Sequence, residues 1–127
     1  MNQLKKFSVP FKYLKNKVLG KHFELSIVLT DSKLSRKLNK TYRKKNKPAN
    51  VLSFPLSKES GEIFIDLVTA KKEAPIYGLP YKEFIISLFI HGLLHLKGMK
   101  HGDTMERTEK KLLHGATNLY RHRHRNL

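Results

Sequence analysis

The chain has 127 residues, and its 26 Lys and Arg against 10 Asp and Glu give a formal net charge of +16. This length allows one domain built on one core, and an apolar content of 39% excludes a disordered chain. Cysteine is absent, which excludes disulfides, thiolate metal sites and cysteine nucleophiles and favours a single folded cytoplasmic domain over residues 1–127.

The first third of the chain predicts a leading helix or extended arm, followed by a strand and a helix. Apolar residues alternate along residues 22–30, which is typical of a half-buried strand. Asp31 is suited to cap the helix that follows. Leu34, Leu38 and Tyr42 recur every four residues on that helix. We expect these three residues to face the protein and to leave a basic face in water.

The middle of the chain predicts two strands and a short helix. Residues 44–50 form a polar loop, and we expect Pro55 to stop the strand that follows this loop. Residues 57–61 have the composition of a turn. In order, the predicted elements are a strand at 51–54, a strand at 62–67 and a short helix at 69–76.

The last third of the chain predicts two helices. Residues 81–97 are apolar almost all round, which is typical of a central helix buried on several sides. The apolar stretch within it, 84–96, is shorter than the ~18 residues of a membrane span, so we expect none. We expect Gly98 to end this helix, and Asp103 with Glu106 to begin the next as a capping box. The pattern predicts an α+β domain, with a small mixed sheet packed by helices.

Positive charge is concentrated at both ends of the chain. Residues 1–50 contain 14 Lys or Arg against two acids, and residues 81–127 contain nine against four. The chain finishes in a basic tail at about residues 121–127. Such a distribution favours a polyanion partner, above all the phosphate backbone of nucleic acid. Anionic lipid, or a basic surface that only keeps the protein soluble, stay open as alternatives.

Three histidines in and after the central helix form the most informative pattern. His91 and His95 are four residues apart, so they share a helix face with β-carbons about 5–6 Å apart. Gly98 allows the chain to turn, after which His101 can return to the same place. Three imidazoles with one open position are typical of a catalytic zinc site, with one Zn²⁺ per chain. The alternative is a set of core histidines, but two adjacent buried imidazoles are best satisfied by a shared cation.

The residue after the first histidine and the charge of the chain bear on the reaction. Zinc peptidases carry a glutamate general base at this position, which here is Gly92, so peptide hydrolysis is disfavoured. A phosphodiester fits better, because a metal can polarise a phosphoryl oxygen or supply hydroxide. Arg43 is the candidate guanidinium for binding the phosphate. Lys44, Lys45 and Lys47 are candidate substrate-binding residues beside it, although each alone is more often a surface charge.

Two stretches of the sequence resemble the bacterial YbeY-type rRNA maturation endoribonucleases. The segment H-G-L-L-H-L-K-G-M-K-H at residues 91–101 matches the family signature H-G-x-L-H-L-x-G-x-x-H at every fixed position. Residues 38–55 resemble the family's Leu-Asn-x-x-Tyr-Arg motif and its (Asp/Asn)-Val-Leu-Ser-Phe-Pro block. The resemblance covers roughly residues 22–115.

This resemblance implies a fold, a metal and a reaction. It implies a zincin-like α+β fold, zinc on His91, His95 and His101, and a functionally important arginine at Arg43. Members of the family are associated with cleavage of single-stranded RNA, with 16S rRNA 3′-end maturation and with ribosome quality control. Single-stranded rRNA is therefore the expected partner, with the ribosome or its proteins as further partners.

The sequence departs from the family pattern just before the third histidine. The family has an aromatic residue and then aspartate, whereas this chain has Met99 and Lys100. A carboxylate in contact with a ligating histidine orients the ring and raises its basicity, so we expect weaker metal affinity or slower cleavage. We hypothesise that Asp103 takes over the role of that aspartate.

The leading hypothesis is a cytoplasmic, zinc-dependent endoribonuclease in which Arg43 positions the phosphate. A rival hypothesis is a non-catalytic rRNA-binding ribosome assembly factor whose fold is stabilised by zinc. A third is a metal hydrolase of small or peptidic substrates. The sequence leaves open the attacking nucleophile, the general base and the oligomeric state.

Overall fold

The computed structural model describes residues 10–125, with side chains described as far as residue 118. Helices surround a small sheet, which confirms the predicted α+β class. The leading segment is helical from Phe11, and the rest of the predicted arm, residues 1–9, lies outside the described residues. In chain order the elements are α1 (Phe11–Leu19), β1 (Glu24–Thr30), α2 (Ser32–Arg43), β2 (Val51–Ser57), β3 (Ser60–Asp66), α3 (Leu67–Glu73), a 3-10 helix (Ala74–Tyr77), α4 (Tyr81–Lys97) and α5 (Asp103–Arg125).

The strands form a mixed sheet with β3 in the centre. β1 pairs with β3 in parallel and β2 pairs with β3 antiparallel, so the order is β1-β3-β2. The parallel pair needs a crossover connection, to which α2 contributes. Ile63 and Ile65 alternate along β3 and are fully buried on one face of the sheet. This face packs against α4, so the sheet supports the central helix.

Helix α4 lies at the centre of the core, as its apolar sequence predicts. It begins at Tyr81 and ends at Lys97, which are the predicted bounds. Gly98 follows with a φ of 96°, a left-handed conformation that glycine adopts without strain, and ends the helix. Within the described residues, neither α4 nor any other helix is long and apolar enough to cross a membrane. The buried apolar side chains of α4 are Phe84, Ile85, Ile86, Leu88, Phe89, Ile90, Leu93 and Leu94.

The helix approaches the sheet closely at Gly92. A β-carbon at this position would lie 2.9 Å from Ser53 Oγ and 3.1 Å from Ile63 Cδ1. The Ser53 hydroxyl donates a hydrogen bond to the Gly92 carbonyl oxygen, 3.2 Å away. A side chain at residue 92 would therefore force Ser53, Ile63 or the helix itself to shift. The close contact fixes where His91, one residue earlier, lies relative to β2.

The predicted buried face of α2 is wrong. Leu34 and Tyr42 are 36% and 65% exposed, whereas Ser35 and Asn39 are buried. The reason is a polar contact beneath the helix, because the Ser35 hydroxyl donates a 2.6 Å hydrogen bond to buried Asp66. This contact directs Ser35 and Asn39 inward. Leu34 and Tyr42 are left at the margin, where the Tyr42 ring still contacts the Phe54 ring with centroids 5.2 Å apart, and Leu38 is half-buried.

Three element boundaries in the middle of the chain also differ from the prediction. β2 continues through Pro55 to Ser57 and β3 begins at Ser60, so the turn is shorter than predicted. Proline is tolerated there because β2 lies at the edge of the sheet. Asp66 caps α3, so this helix begins at Leu67, earlier than predicted.

Of the helix caps predicted for α2 and α5, the structure confirms the one at α2. Asp31 caps α2 as predicted, since its side chain accepts a 3.1 Å hydrogen bond from the Leu34 N–H. Helix α5 begins at Asp103 itself, so Asp103 and Glu106 both lie in its first turn. The α5 backbone continues to Arg125, but the side chains of the basic tail at 121–127 lie outside the described residues.

Candidate metal centre

Helix α4 and the bend after it bring three histidines together. The Nε2 atoms of His91 and His95 lie 3.0 Å apart, as their four-residue spacing on one helix face predicts. Gly98 turns the chain, and His101 lies in the bend before α5. One ring nitrogen from each histidine lies within 4.8 Å of those of the other two. The three rings therefore surround a space in which one cation can contact them all.

Glu109 of α5 orients the first histidine. Its carboxylate Oε1 lies 2.5 Å from His91 Nδ1. An ionised carboxylate only accepts hydrogen bonds, so Nδ1 carries the proton and Nε2 has a free lone pair. That lone pair is on the nitrogen facing His95. A carboxylate that fixes a histidine tautomer in this way is the usual companion of a metal-binding imidazole.

The second histidine is held in its neutral form. Burial lowers the pKa of His95 below its usual value, and the repulsion that a protonated His95 would meet from Arg43, and from His91 or His101 whenever either is protonated, lowers it further. A neutral imidazole binds a metal without first losing a proton. The electrostatics of the site thus favour a metal ligand over a charged histidine.

The donor set matches a metal ion with a vacant coordination position. Within the described residues, the group contains three imidazole donors. In a tetrahedral site with metal–nitrogen bonds of ~2.0–2.1 Å, ligand nitrogens lie about 3.3 Å apart, close to the His91–His95 separation. Imidazole suits zinc and several other transition metals. The three residues therefore fit a metal ion, and its identity as zinc stays a prediction.

The three histidines line a cavity of about 670 Å³ that also receives Arg43. Arg43 is the last residue of α2, and it lines the same cavity although α2 lies far from α4 in the sequence. Arg43 and the three histidines were predicted as site residues from different parts of the sequence, and in the fold they line one cavity. The cavity also has an apolar wall, formed by Tyr77, Leu79, Phe84 and Leu88.

The three predicted lysines lie at the margin of this site. Lys44, Lys45 and Lys47 are exposed and follow Arg43 in the loop after α2. They are not among the residues that line the cavity. Lys44 adopts a left-handed conformation with a φ of 58° and ends α2, so its backbone has a structural role. Contact of these side chains with substrate stays a prediction.

The carboxylate in contact with a histidine is not the one that the sequence suggested. Asp103 lines a neighbouring small depression with His101, whereas Glu109 makes the contact with His91. The role predicted for Asp103 stays a prediction. Sequence reasoning missed Glu109, although a short connection between α4 and α5 predicts that α5 packs back along α4 and brings an acid near the histidines. It also missed Tyr77, which no local pattern connects to the site.

Comparison with known proteins places these features in a family. Residues 3–122 match the family described as endoribonuclease YbeY. A protein named endoribonuclease YbeY from Persephonella marina is 45% identical over 96 residues, covering 69% of this chain and 60% of the relative. Another, from Pelagibacter ubique, is 41% identical over 108 residues, covering 79% of this chain and 68% of the relative. The chain thus spans about 60% of the length of the first of these relatives.

A solved structure supports the fold. The solution structure of TM1509 from Thermotoga maritima superimposes with a TM-score of 0.66, covering 96% of this chain and 84% of the other. The two sequences are 23% identical, so this likeness concerns the fold alone. The family match and the structural match each cover nearly the whole chain.

Proposed function

Because the chain belongs to the YbeY family of endoribonucleases, we propose that it is a zinc-dependent endoribonuclease acting on single-stranded RNA. The observation that carries the proposal is the shared cavity. The Arg43 guanidinium and the imidazoles of His91, His95 and His101 line one space. A phosphate-binding group and a metal-binding group are thereby close enough to act on one phosphodiester.

Arg43 is suited to bind the phosphate that is cleaved. A guanidinium presents two parallel N–H donors that match two phosphate oxygens, and it stays charged at any physiological pH. Such a donor stabilises the extra negative charge that develops in the transition state.

The histidines would hold the zinc ion. Zinc bound by three imidazoles supplies a Lewis acid that polarises a phosphoryl oxygen. Glu109 keeps the proton of His91 on Nδ1, so that Nε2 is available as a ligand. The lowered pKa keeps His95 neutral. Both histidines are therefore in a form that can bind a metal ion without losing a proton.

The charge of the chain supports RNA as the substrate. A net charge of +16 attracts a phosphate backbone, and the exposed Lys44, Lys45 and Lys47 adjoin Arg43. A single strand can bend one nucleotide into a cavity, which a regular duplex cannot do without opening. Family membership supports a cytoplasmic role in 16S rRNA 3′-end maturation and ribosome quality control.

The proposal is tested with tag-free protein and a short fluorescent single-stranded RNA. Metal content is measured by mass spectrometry, and cleavage is followed with zinc and with a chelator. We expect about one zinc per wild-type chain and cleavage that the chelator stops. Arg43→Ala should keep its zinc and lose roughly 100- to 1000-fold in cleavage rate, because one transition-state donor is removed. A strand with the 3′ sequence of precursor 16S rRNA should be cleaved faster than a scrambled strand.

His95→Ala, purified in parallel, is the matched control for contaminating nucleases, since it should lack both zinc and cleavage. Wild-type protein that contains zinc and binds RNA but leaves it intact would overturn the proposal. That result would favour the non-catalytic rRNA-binding assembly factor.

A further inference from the structure

The cavity beside the histidines has an apolar wall that the cleavage chemistry does not use. Phe84 and Leu88 contribute buried side chains to this wall, with 4% and 6% exposure. Tyr77 belongs to the same wall but is 63% exposed. One aromatic ring is thus accessible to solvent in a site that Arg43 and three imidazoles also line.

The Tyr77 ring is supported from one side. It stacks on the Phe84 ring with centroids 5.1 Å apart and an angle of 20° between the planes. Tyr77 ends the 3-10 helix, and Gly78 follows in a left-handed conformation with a φ of 69°, so the backbone turns immediately after the ring. Because Phe84 covers one face of the ring, the exposed surface belongs to the other face and the edge. A flat ligand can therefore extend the existing stack.

We propose that Tyr77 is a stacking platform for a nucleobase of the RNA strand, next to the phosphate bound by Arg43. This inference rests on the proposed function, because it takes the substrate to be RNA. Aromatic stacking suits any base, since every base has a π-face. The cavity, at about 670 Å³, lies in the range of pockets that hold ligands larger than a single phosphate.

The combination of surfaces favours a nucleotide over other occupants. A purely apolar ligand would leave the Arg43 guanidinium of the same cavity unpaired, and a free phosphate would leave the aromatic wall unused. A nucleotide carries a flat aromatic group and a phosphate that are separated by one ribose. It therefore satisfies both walls of the cavity with one molecule.

The test measures binding of cleavage-resistant strands, with 2′-O-methyl and phosphorothioate groups, to the full chain. One strand carries the fluorescent base 2-aminopurine among ordinary bases, and a second strand of equal length, fluorescent only at one end, is abasic throughout. Each affinity is measured in zinc-containing buffer and again with a chelator. The variants are Tyr77→Ala, Tyr77→Phe and Tyr77→Leu. Tyr13→Ala is the matched control, because Tyr13 is 48% exposed on α1 and does not line the cavity.

We expect Tyr77→Ala to bind the base-containing strand roughly tenfold more weakly, with weaker quenching of 2-aminopurine. Tyr77→Phe should bind like wild type, and Tyr77→Leu should fall between Phe and Ala. Affinity for the abasic strand should be the same in wild type and Tyr77→Ala, and Tyr13→Ala should change neither affinity.

Three results would overturn the inference. Tyr77→Ala could bind the base-containing strand like wild type, or lose affinity equally for both strands, or Tyr77→Leu could bind as well as Tyr77→Phe. Cleavage of an unmodified strand, measured in parallel, separates the two proposals. Zinc-dependent cleavage with no effect of Tyr77 on binding removes only the platform. Base-dependent binding through Tyr77 without zinc-dependent cleavage removes only the proposed nuclease activity.

Discussion

Two clusters of polar side chains in this protein differ in how their hydrogen bonds are satisfied. Asp66, at the end of β3, is fully buried and accepts hydrogen bonds from three neighbours, Ser32, Ser35 and Thr69. In the histidine cluster, by contrast, the Nε2 atoms of His91 and His95 face each other at 3.0 Å. The hydrogen bonds of the first cluster are satisfied within the protein, whereas the histidines of the second cluster line an open cavity.

The pKa values of the two clusters reflect this difference. Burial alone would raise the pKa of Asp66, but hydrogen bonds from Ser35, Thr69 and Ser32 outweigh it and hold the pKa below its usual value. At His95, burial and the surrounding positive charges act in the same direction and oppose the charged form. The hydrogen bonds to the Asp66 carboxylate stabilise its charge and so contribute to the stability of the fold. A histidine whose protonated form is disfavoured is a candidate ligand for a metal ion. Substitutions in the two clusters should therefore have opposite consequences.

The largest effect expected is loss of the metal from His95→Ala. Zinc content should fall from about one per chain to none, because the group retains only two of its three imidazoles. The metal-free forms of wild type and variant should differ by less than about 1 kcal/mol in free energy of unfolding, since this histidine's environment disfavours its charge. Mass spectrometry and urea unfolding check the two parts. Equal zinc in the variant, or equal loss in the exposed control His114→Ala, would contradict the assignment.

In contrast to His95→Ala, Asp66→Asn should change the stability of the protein and leave its zinc content unchanged. We expect it to lower the free energy of unfolding by about 2–4 kcal/mol at pH 7, since it weakens charged hydrogen bonds and the cap of α3. Because the folded pKa of Asp66 is below its unfolded value, this stability is present above about pH 4 and is lost as the pH falls further. The wild type and variant should therefore converge in acid. Urea unfolding between pH 3 and pH 7 measures the difference, and a constant gap would contradict it.

Glu109→Gln should weaken the metal site without removing it. The amide keeps the size of the side chain but loses the charge that fixes His91, so zinc affinity should fall roughly 10- to 100-fold. Competition with a chromophoric chelator measures the affinity, and saturating zinc should restore full occupancy. Glu24→Gln, at an exposed position of β1 that lines neither the cavity nor the depression beside His101, is the control and should retain wild-type affinity. Equal affinities for all three proteins would show that the carboxylate has no part in metal binding.

The smallest effect concerns charge outside both clusters. Replacing Lys44, Lys45 and Lys47 together with glutamine should weaken RNA binding several-fold at moderate salt. The slope of log affinity against log salt should fall by about 0.7 for each lysine that contacts a phosphate of a single strand. Zinc content and stability should stay unchanged, because these side chains are exposed and lie outside the cavity. An unchanged slope would show that these lysines do not contact the phosphates of the bound RNA.

Most of the helix that carries the metal centre could be predicted from local sequence. The bounds of α4 follow from a continuous apolar stretch that ends at a glycine, and the approach of His91 to His95 follows from helical spacing. The face of α2 could not be predicted in this way. Its leucines gave the only periodic signal, but a buried aspartate from a distant strand decided the orientation. The extent of β2 depended on its place at the sheet edge, which local sequence does not specify.

The contacts made between elements also lay beyond the sequence. Glu109 meets His91 only because α5 packs back along α4, and Tyr77 reaches the cavity only through the turn of the 3-10 helix. Spacing along one helix is visible in a sequence, whereas the register between two helices depends on the packing of the whole core.

The contact at Gly92 also limits how this fold can diverge. In zinc peptidases the residue after the first histidine supplies the general base, and a mutation to glutamate is the obvious path toward that chemistry. Here a side chain at this position would start 2.9 Å from Ser53 and 3.1 Å from Ile63, pointing at the sheet. A glutamate at residue 92 could reach a substrate only after the packing of α4 against the sheet had changed. The packing at Gly92 therefore disfavours a glutamate general base at this position.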